Sequence, residues 1–136
     1  MTLSPSQYRE SARVELPWPA RELSPNARVH WTKKYRATKA ARHTASGVAV
    51  EAKVWRVKGD EIRLTVTLHP PDKRARDRDN MLASLKPVFD GISDALGIDD
   101  RHFRIGEPIV AEPVKGGKVI VELCPVDVVD SVDAAI

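Results

Sequence analysis

The spacing of apolar residues changes twice along the chain, and this change limits the possible folds more than any other feature of the sequence. Between about Lys33 and Val57, apolar residues recur at steps of three and four, as on one face of an amphipathic helix. Residues Ile62 to Leu68 then alternate between apolar and polar, as in a strand with one buried face. A second helical period runs from Leu82 to Leu96, before Gly97. Helices and strands therefore alternate along the chain.

Three further extended segments complete the predicted order of elements. Val14 to Pro19 forms a short strand, which its prolines end. Phe103 to Val114 and Lys118 to Val126 are rich in β-branched residues, and the Lys115-Gly116-Gly117 sequence between them predicts a hairpin. The predicted order is β-α-β-α-β-β, which corresponds to an α+β domain with two helices on one face of a small antiparallel or mixed sheet.

The length and composition of the chain are those of a single globular domain. A chain of 136 residues can form one hydrophobic core but not two. Its hydrophobic fraction of 42% and charged fraction of 30% are ordinary for a soluble protein. We therefore predict one domain over residues 1–136, with residues 1–12 and 126–136 flexible because they show no period.

Cysteine usage and hydropathy exclude several classes of protein. Cys124 is the only cysteine, so neither an intrachain disulfide nor a cysteine-based zinc site can form. The sequence contains no apolar run of about 18 residues, and its N-terminus lacks the apolar core of a signal peptide. These features predict a cytoplasmic protein with no membrane partner.

Basic residues are concentrated in one part of the sequence. The formal net charge is only +3 and the sequence pI is 9.2, but the segment from Arg21 to Arg42 contains Glu22 as its only acid. A polyanion such as DNA fits this distribution, and the alternative is a solvated helix face. The residues of this segment predicted to contact DNA are Lys33, Lys34 and Arg36.

Acidic residues are concentrated between the second strand and the end of the second helix. Asp77 and Asp79 are two residues apart, so in an extended segment their carboxylates point the same way and can hold one hard cation. Mg²⁺ prefers such oxygen ligands. The alternative is that the pair caps a helix or binds arginines. Asp99-Asp100 offers a third carboxylate, or forms only an acidic turn.

Cations surround these carboxylates, as a bound phosphodiester would require. Lys86 follows Asp79 by seven residues, so on a helix it returns to nearly the same side and can reach a phosphate oxygen. The alternative partner of Lys86 is Asp90. The other nearby cations predicted to contact DNA are Lys73, Arg74 and Arg76.

The segment Arg76-Asp77-Arg78-Asp79-Asn80, followed by Asp99-Asp100, resembles the signature of the RusA family of Holliday junction resolvases. The LPWP sequence at residues 16–19, the Ser-Pro-Asn turn at 24–26 and the C-terminal Gly-Gly turn are also similar to that family. The resemblance covers residues 14–125. It implies a homodimer that uses Mg²⁺ or Mn²⁺ to make paired nicks in four-way DNA junctions during recombination and repair.

The resemblance also implies roles for particular residues. It implies that Asp77, Asp79 and Asp100 are the catalytic carboxylates and metal ligands. The family's lysine, four residues after the second aspartate, corresponds to Ala83 here, so Lys86 is the expected substitute. A location at the bacterial nucleoid, or an origin in a phage or prophage, is the corresponding expectation.

Two other functions are compatible with parts of this pattern. In a non-catalytic nucleic-acid-binding module, the basic helix would contact phosphates and the carboxylates would only orient arginines. A glycosyltransferase with an Asp-x-Asp metal site is disfavoured, because a chain of this length leaves no room for its nucleotide-binding domain.

The predicted second helix raises a geometric difficulty. A helix from Asn80 to Leu96 would be about 25 Å long, which would separate Asp79 from Asp100. Either the helix folds back near Pro87 and Gly91, or Asp100 meets the Asp77 and Asp79 pair of another subunit in an isologous dimer.

Overall fold

A computed structural model describes residues 9–126 of the protein. Over this range the chain forms three α-helices and five β-strands. The helices are α1 (Trp31–Glu51), α2 (Arg78–Ser84) and α3 (Lys86–Leu96). The strands are β1 (Ala12–Pro17), β2 (Ile62–His69), β3 (Phe103–Ile105), β4 (Ile109–Val110) and β5 (Lys118–Pro125).

The strands form one mixed sheet in the order β1-β5-β2-β3. Strand β4 also pairs with β2, at residues of β2 that follow the segment paired with β3. Strand β5 is antiparallel to both β1 and β2, whereas β3 and β4 are parallel to β2. Val121 of β5 lies opposite Val14 on one side and Val66 on the other, which aligns the apolar positions of the three longest strands. The α+β class and the mixed sheet are therefore as predicted.

The core lies between this sheet and the pair of helices α1 and α3. Alternate residues of β1 and β2 are buried, as their sequence alternation predicts. Helix α1 contributes Ala45 and Ala49, whose small side chains allow α3 to approach closely, and α3 contributes larger residues such as Phe89 and Ile92. Both helices therefore cover the same face of the sheet.

The predicted hairpin between residues 103 and 126 is wrong. The first extended run is interrupted at Gly106 to Pro108, and the two short strands that remain pair in parallel with β2. Strand β5 instead pairs with the opposite edge of β2. Gly116 and Gly117 both have positive φ, at 79° and 71°, so the predicted turn exists but connects strands that are not neighbours.

Both predicted helices have different bounds in the structure. Helix α1 ends at Glu51 rather than Val57, because Lys53 adopts a left-handed conformation with φ of 58° and a single 3₁₀ turn, Val54–Arg56, follows. The second helix is two helices, which meet at the fully buried Leu85. Pro87 lies in the first turn of α3, where its lack of an N–H costs no hydrogen bond, so it begins a helix rather than interrupting one.

The predicted flexible ends fall mostly outside the described residues. Within them, the backbone N–H of Arg9 donates to Arg56 at 3.0 Å, and Ala12 already belongs to β1. The N–H of Val126 donates to Glu61 at 2.9 Å. The flexibility of residues 1–12 and 126–136 stays a prediction. No helix within residues 9–126 has the length and apolar character needed to cross a membrane.

An ion pair joins the exposed edges of α1 and α3. The guanidinium of Arg42 donates two hydrogen bonds to the Asp94 carboxylate, at 2.8 and 2.9 Å. Hydrogen bonding by Arg42, together with its charge, lowers the pKa of the Asp94 carboxyl below its ordinary value. The pair ties the two helices together at the surface, above their apolar contact.

Replacing Arg42 by Met should raise the pKa of Asp94 toward its ordinary value. A carboxyl whose pKa is lower in the folded state stabilises the fold at pH above its unfolded pKa of about 3.9, and this contribution is lost as pH falls through the folded pKa. The difference in stability between parent and variant should therefore shrink in acid. NMR titration of the Asp94 carboxyl carbon measures the shift. Arg36→Met, on the same helix without contact to Asp94, is the control, and an unchanged Asp94 titration in Arg42→Met would contradict the assignment.

Candidate active site

The loop that follows β2 is held in shape by Arg76. Its side chain is only 15% exposed and donates to the Asp72 carboxylate at 2.8 Å and to the backbone oxygens of Asp72 and Arg74 at 3.1 and 2.8 Å. The guanidinium also lies over the ring of Trp18, 5.6 Å from its centroid. The backbone N–H of Arg74 and the Arg76 side chain lower the pKa of Asp72. Arg76, predicted to contact DNA, therefore uses its donors within the loop.

Asp77 and Asp79 lie where this loop becomes helix α2. Asp77 is the N-cap, and its Oδ1 accepts hydrogen bonds from the backbone N–H groups of Asp79 at 2.8 Å and Asn80 at 3.1 Å. Asp79 is in the first turn of α2 and is exposed, and its carboxylate has no hydrogen bond or ion pair within residues 9–126. The capping alternative is therefore confirmed for Asp77, while Asp79 remains available to a ligand.

Lys86 and Asp100 are brought together although fourteen residues separate them. The chain turns back after Gly97 into the 3₁₀ turn Asp100–His102, and the Asp100 carboxylate accepts a hydrogen bond from Lys86 Nζ. Lys86 Nζ also donates to Asp90 at 2.7 Å. Hydrogen bonds to Asp100 and Asp90 raise the pKa of Lys86, and the bond from Lys86 lowers the pKa of Asp100. This cluster therefore carries a firmly protonated ammonium group between two carboxylates.

The predicted three-carboxylate cluster is not assembled in this structure. Within residues 9–126, no group of three or more His, Cys, Asp or Glu side chains converges as a metal site. Asp77 and Asp79 lie together at the start of α2, whereas Asp100 is held by Lys86 on α3. Asp99, the other possible third carboxylate, instead caps the 3₁₀ turn by accepting from the N–H of Arg101 at 3.0 Å.

The fold-back near Pro87 and Gly91, which was one of the two predicted alternatives, does not occur at either residue. Pro87 and Gly91 both lie inside α3, so neither reverses the chain. The reversal follows Gly97, whose φ of 76° ends the helix, and brings Asp100 back to the Lys86 side chain within a single chain. The long continuous helix that separated Asp79 from Asp100 does not exist.

The remaining predicted DNA contacts lie on two exposed surfaces. Lys33, Lys34 and Arg36 are exposed on the first half of α1, which buries no residue before Ala45. Lys73 and Arg74 are exposed on the loop beside Asp77. Trp18 connects these surfaces, since it lines one cavity with Ala37 of α1 and another with residues of the loop.

The cavity beside the loop has a volume of about 400 Å³, and its lining includes Arg76 and Arg78, which flank Asp77 in the sequence. Its wall combines apolar side chains with the cations Lys73, Arg74 and Arg78. Sequence patterns did not predict this cavity, because its sides come from three segments that are distant in sequence: Trp18, residues 68–81 and residues 110–113. Its lining residues include Trp18, Pro70, Met81, Val110 and Pro113.

Two aromatic side chains that no sequence motif singled out are prominent on the surface. Trp31 is 72% exposed and Tyr35 is 60% exposed. Both stand within the basic segment of α1, and their spacing of four residues places them on one face of the helix. The sequence signal that could have identified this surface is the presence of aromatic residues within a lysine-rich segment.

Comparison with known proteins finds a related sequence of undescribed function. No family model matches the sequence. A protein from Xylella fastidiosa (strain Temecula1 / ATCC 700964), described as an uncharacterized protein, is 42% identical over 121 residues, which cover 85% of this chain and 77% of that protein. Identity at this level over most of both sequences shows common descent. The chain therefore belongs to the same protein family as this Xylella fastidiosa protein.

Proposed function

We propose that the protein is a Mg²⁺-dependent endonuclease that cuts branched DNA, as the resemblance of its acidic segment to the RusA family implies. The observation that carries the proposal is the exposed carboxylate of Asp79, which has no partner within residues 9–126. It lies beside the Asp77 cap, at the end of a loop that displays Lys73 and Arg74. Exposed carboxylates among cations suit a phosphodiester that is held by positive charge at a metal site.

The chemistry of the donor set fits a hard divalent cation. Asp79 and the second oxygen of Asp77 would supply carboxylate oxygens to Mg²⁺, an ion that usually keeps several water molecules and binds substrate phosphates. Asp100 would join this set only after a change in its contact with Lys86. When bound, such an ion would activate a water molecule for attack on phosphorus.

The chain's own cations would position the substrate. Lys73 and Arg74 are exposed on the loop beside Asp77, where they would bind backbone phosphates. The Lys86 side chain is 61% exposed, so its ammonium group can exchange its carboxylate partners for a phosphate oxygen and stabilise the charge that develops there. Asp77, as the N-cap, would hold the start of α2 in place, and this end of the helix would face the substrate.

The same resemblance supports a homodimer, since paired nicks in a four-way junction require two sites related by a two-fold axis. Within residues 9–126, Asp77, Asp79 and Asp100 do not form one metal-binding group, so mixed dimers of Asp79→Asn and Asp100→Asn subunits test whether a site is shared. Sites complete within one subunit would leave the mixture inactive. Recovery of cleavage in the mixture would instead assign each site to two subunits.

Cleavage of defined DNA substrates tests the proposed activity. The full chain should nick a four-way junction in the presence of Mg²⁺, should cut linear duplex of the same sequence far more slowly, and should be inactive in EDTA. A flap substrate measures preference among branched structures. A chain that binds the junction but never cuts it, with either Mg²⁺ or Mn²⁺, would contradict the proposal.

One observation favours a second function, a nucleic-acid-binding module without nuclease activity. Asp77 is a helix cap and Asp100 is paired with Lys86, so two of the three carboxylates already have structural roles. In this alternative the basic surfaces bind DNA as proposed, and only cleavage is lacking. The same cleavage assay separates the two functions.

Neutralising the exposed cations of α1 should weaken DNA binding in either case. Replacing Lys33, Lys34 and Arg36 by Gln should reduce the slope of log K against log salt by about 0.9 for each phosphate that the protein no longer neutralises. Folding should be unaffected, because all three side chains are exposed. Fluorescence anisotropy at several salt concentrations measures the slope, with Lys53→Gln beyond the helix as control. An unchanged slope would exclude this face from the DNA interface.

A further inference from the structure

The contacts of the two exposed aromatic side chains on α1 do not indicate a structural role for them. Trp31 and Tyr35 lie one helical turn apart, at 72% and 60% exposure. The first half of α1 buries nothing before Ala45, so neither ring packs into the core. An aromatic patch that a soluble domain leaves uncovered commonly marks an interaction site.

An aromatic ring and a cation lie beside the pair. The ring of His30 lies 5.6 Å from that of Trp31, tilted by 33°. Lys39 Nζ lies 6.0 Å from the centroid of the Tyr35 ring. The only acid of the helix is Glu51, its last residue. A partner that combines flat apolar groups with negative charge is complementary to this surface.

The pair lies at the end of the molecule that carries the candidate active site. Residues 18–23 pack against α1 at Ala37 and Ala41, just beyond Tyr35. Trp18 of the same segment stacks on Arg76 of the loop that leads to Asp77. A strand of DNA that crosses the loop can therefore continue onto the first turns of α1.

We propose that Trp31 and Tyr35 form a stacking platform for unpaired bases of single-stranded DNA, while Lys34 and Lys39 bind its phosphates. The proposal rests on the proposed function, because it assigns this surface to the single-stranded arm of a branched substrate such as a flap. Stacking on aromatic rings beside cations accepts any base and binds single strands in preference to closed duplex, whose bases are stacked on each other.

Binding of the full chain to fluorescein-labelled oligothymidylate in EDTA tests the platform without cleavage. Trp31→Ala should weaken this binding about tenfold, and Tyr35→Ala should weaken it less. Trp31→Phe should retain most of the affinity, because it keeps an aromatic face. Blunt duplex of equal length should bind all variants alike. Val50→Ala, which removes a 53% exposed apolar side chain at the other end of α1, is the control.

Several results would overturn the proposal. Equal losses for oligothymidylate and duplex would show a general electrostatic or folding effect rather than stacking. A change in the sedimentation-derived mass of Trp31→Ala would assign the pair to a contact between copies of the chain. Failure of the proposed nuclease activity is a separate outcome, since a chain that cuts no junction can still bind oligothymidylate through Trp31.

Discussion

Replacing Asp79 by Asn is expected to reduce junction cleavage at least about 100-fold while junction binding persists. The carboxylate is exposed and has no protein partner within residues 9–126, so its removal should not destabilise the fold. A missing metal ligand removes several kcal/mol of transition-state stabilisation, and each 1.36 kcal/mol is about tenfold in rate. Binding can even tighten, because a negative charge that repels DNA is removed. Single-turnover cleavage and anisotropy in EDTA measure the two effects separately.

Glu51→Gln provides a matched control for this experiment. Glu51 is also an exposed acid, but it is the last residue of α1, outside the candidate site. It should cleave at the parental rate. Asp77→Asn should lose activity and still fold, because Asn is as good an N-cap as Asp. An Asp79→Asn protein that cleaves as fast as the parent would remove this residue from the active site.

Replacing Gly91 by Ala is expected to destabilise the protein by about 3 kcal/mol, which would lower its Tm by roughly 10 °C. A Cβ at Gly91 would lie 2.4 Å from the backbone oxygen of Arg42 and 2.8 Å from Cβ of Ala45. Neither neighbour is the end of a flexible side chain, so α1 and α3 would have to separate. This overpacking outweighs the better helix propensity of alanine, which is worth about 1 kcal/mol. Thermal and urea unfolding measure the change.

The same substitution at Gly47 should have the opposite sign. Gly47 lies inside α1, and a Cβ built there meets no atom within 4 Å. Gly47→Ala should therefore stabilise the protein by about 0.5–1 kcal/mol, through helix propensity alone. If Gly91→Ala were equally stabilising, the close approach of α1 and α3 would be wrong.

The elements that the sequence predicts most accurately are those with a regular apolar period. Strand β2 matches its predicted alternation almost to the residue, and β1 and α1 exist with shifted ends. The predicted hairpin is wrong because a β-branched run and a Gly-Gly turn indicate extended chain but not its partner. Strands β3 and β4 pair with β2 because the chain that follows α3 returns to that edge of β2.

In the candidate site, the sequence locates the acidic segment but does not determine the role of each side chain. From its position alone, Asp77 could be a ligand or a cap, and the structure establishes its cap hydrogen bonds. The sequence predicts that Arg76 contacts DNA, and the structure adds that its side chain donates three hydrogen bonds within its own loop. Both outcomes depend on which backbone groups the loop presents, and a spacing of residues does not contain this information.

The sequence by itself determined the α+β class, the strand β2 with its buried face, and the concentration of basic and acidic residues in two segments. These properties follow from the local periodicity of side chains, which is independent of the rest of the fold. Only the tertiary structure decided that Lys86 holds Asp100, that Gly91 faces the backbone of α1, and that Trp31 and Tyr35 stay exposed. Each of these depends on whether segments distant in sequence pack against each other, and no local pattern specifies that packing.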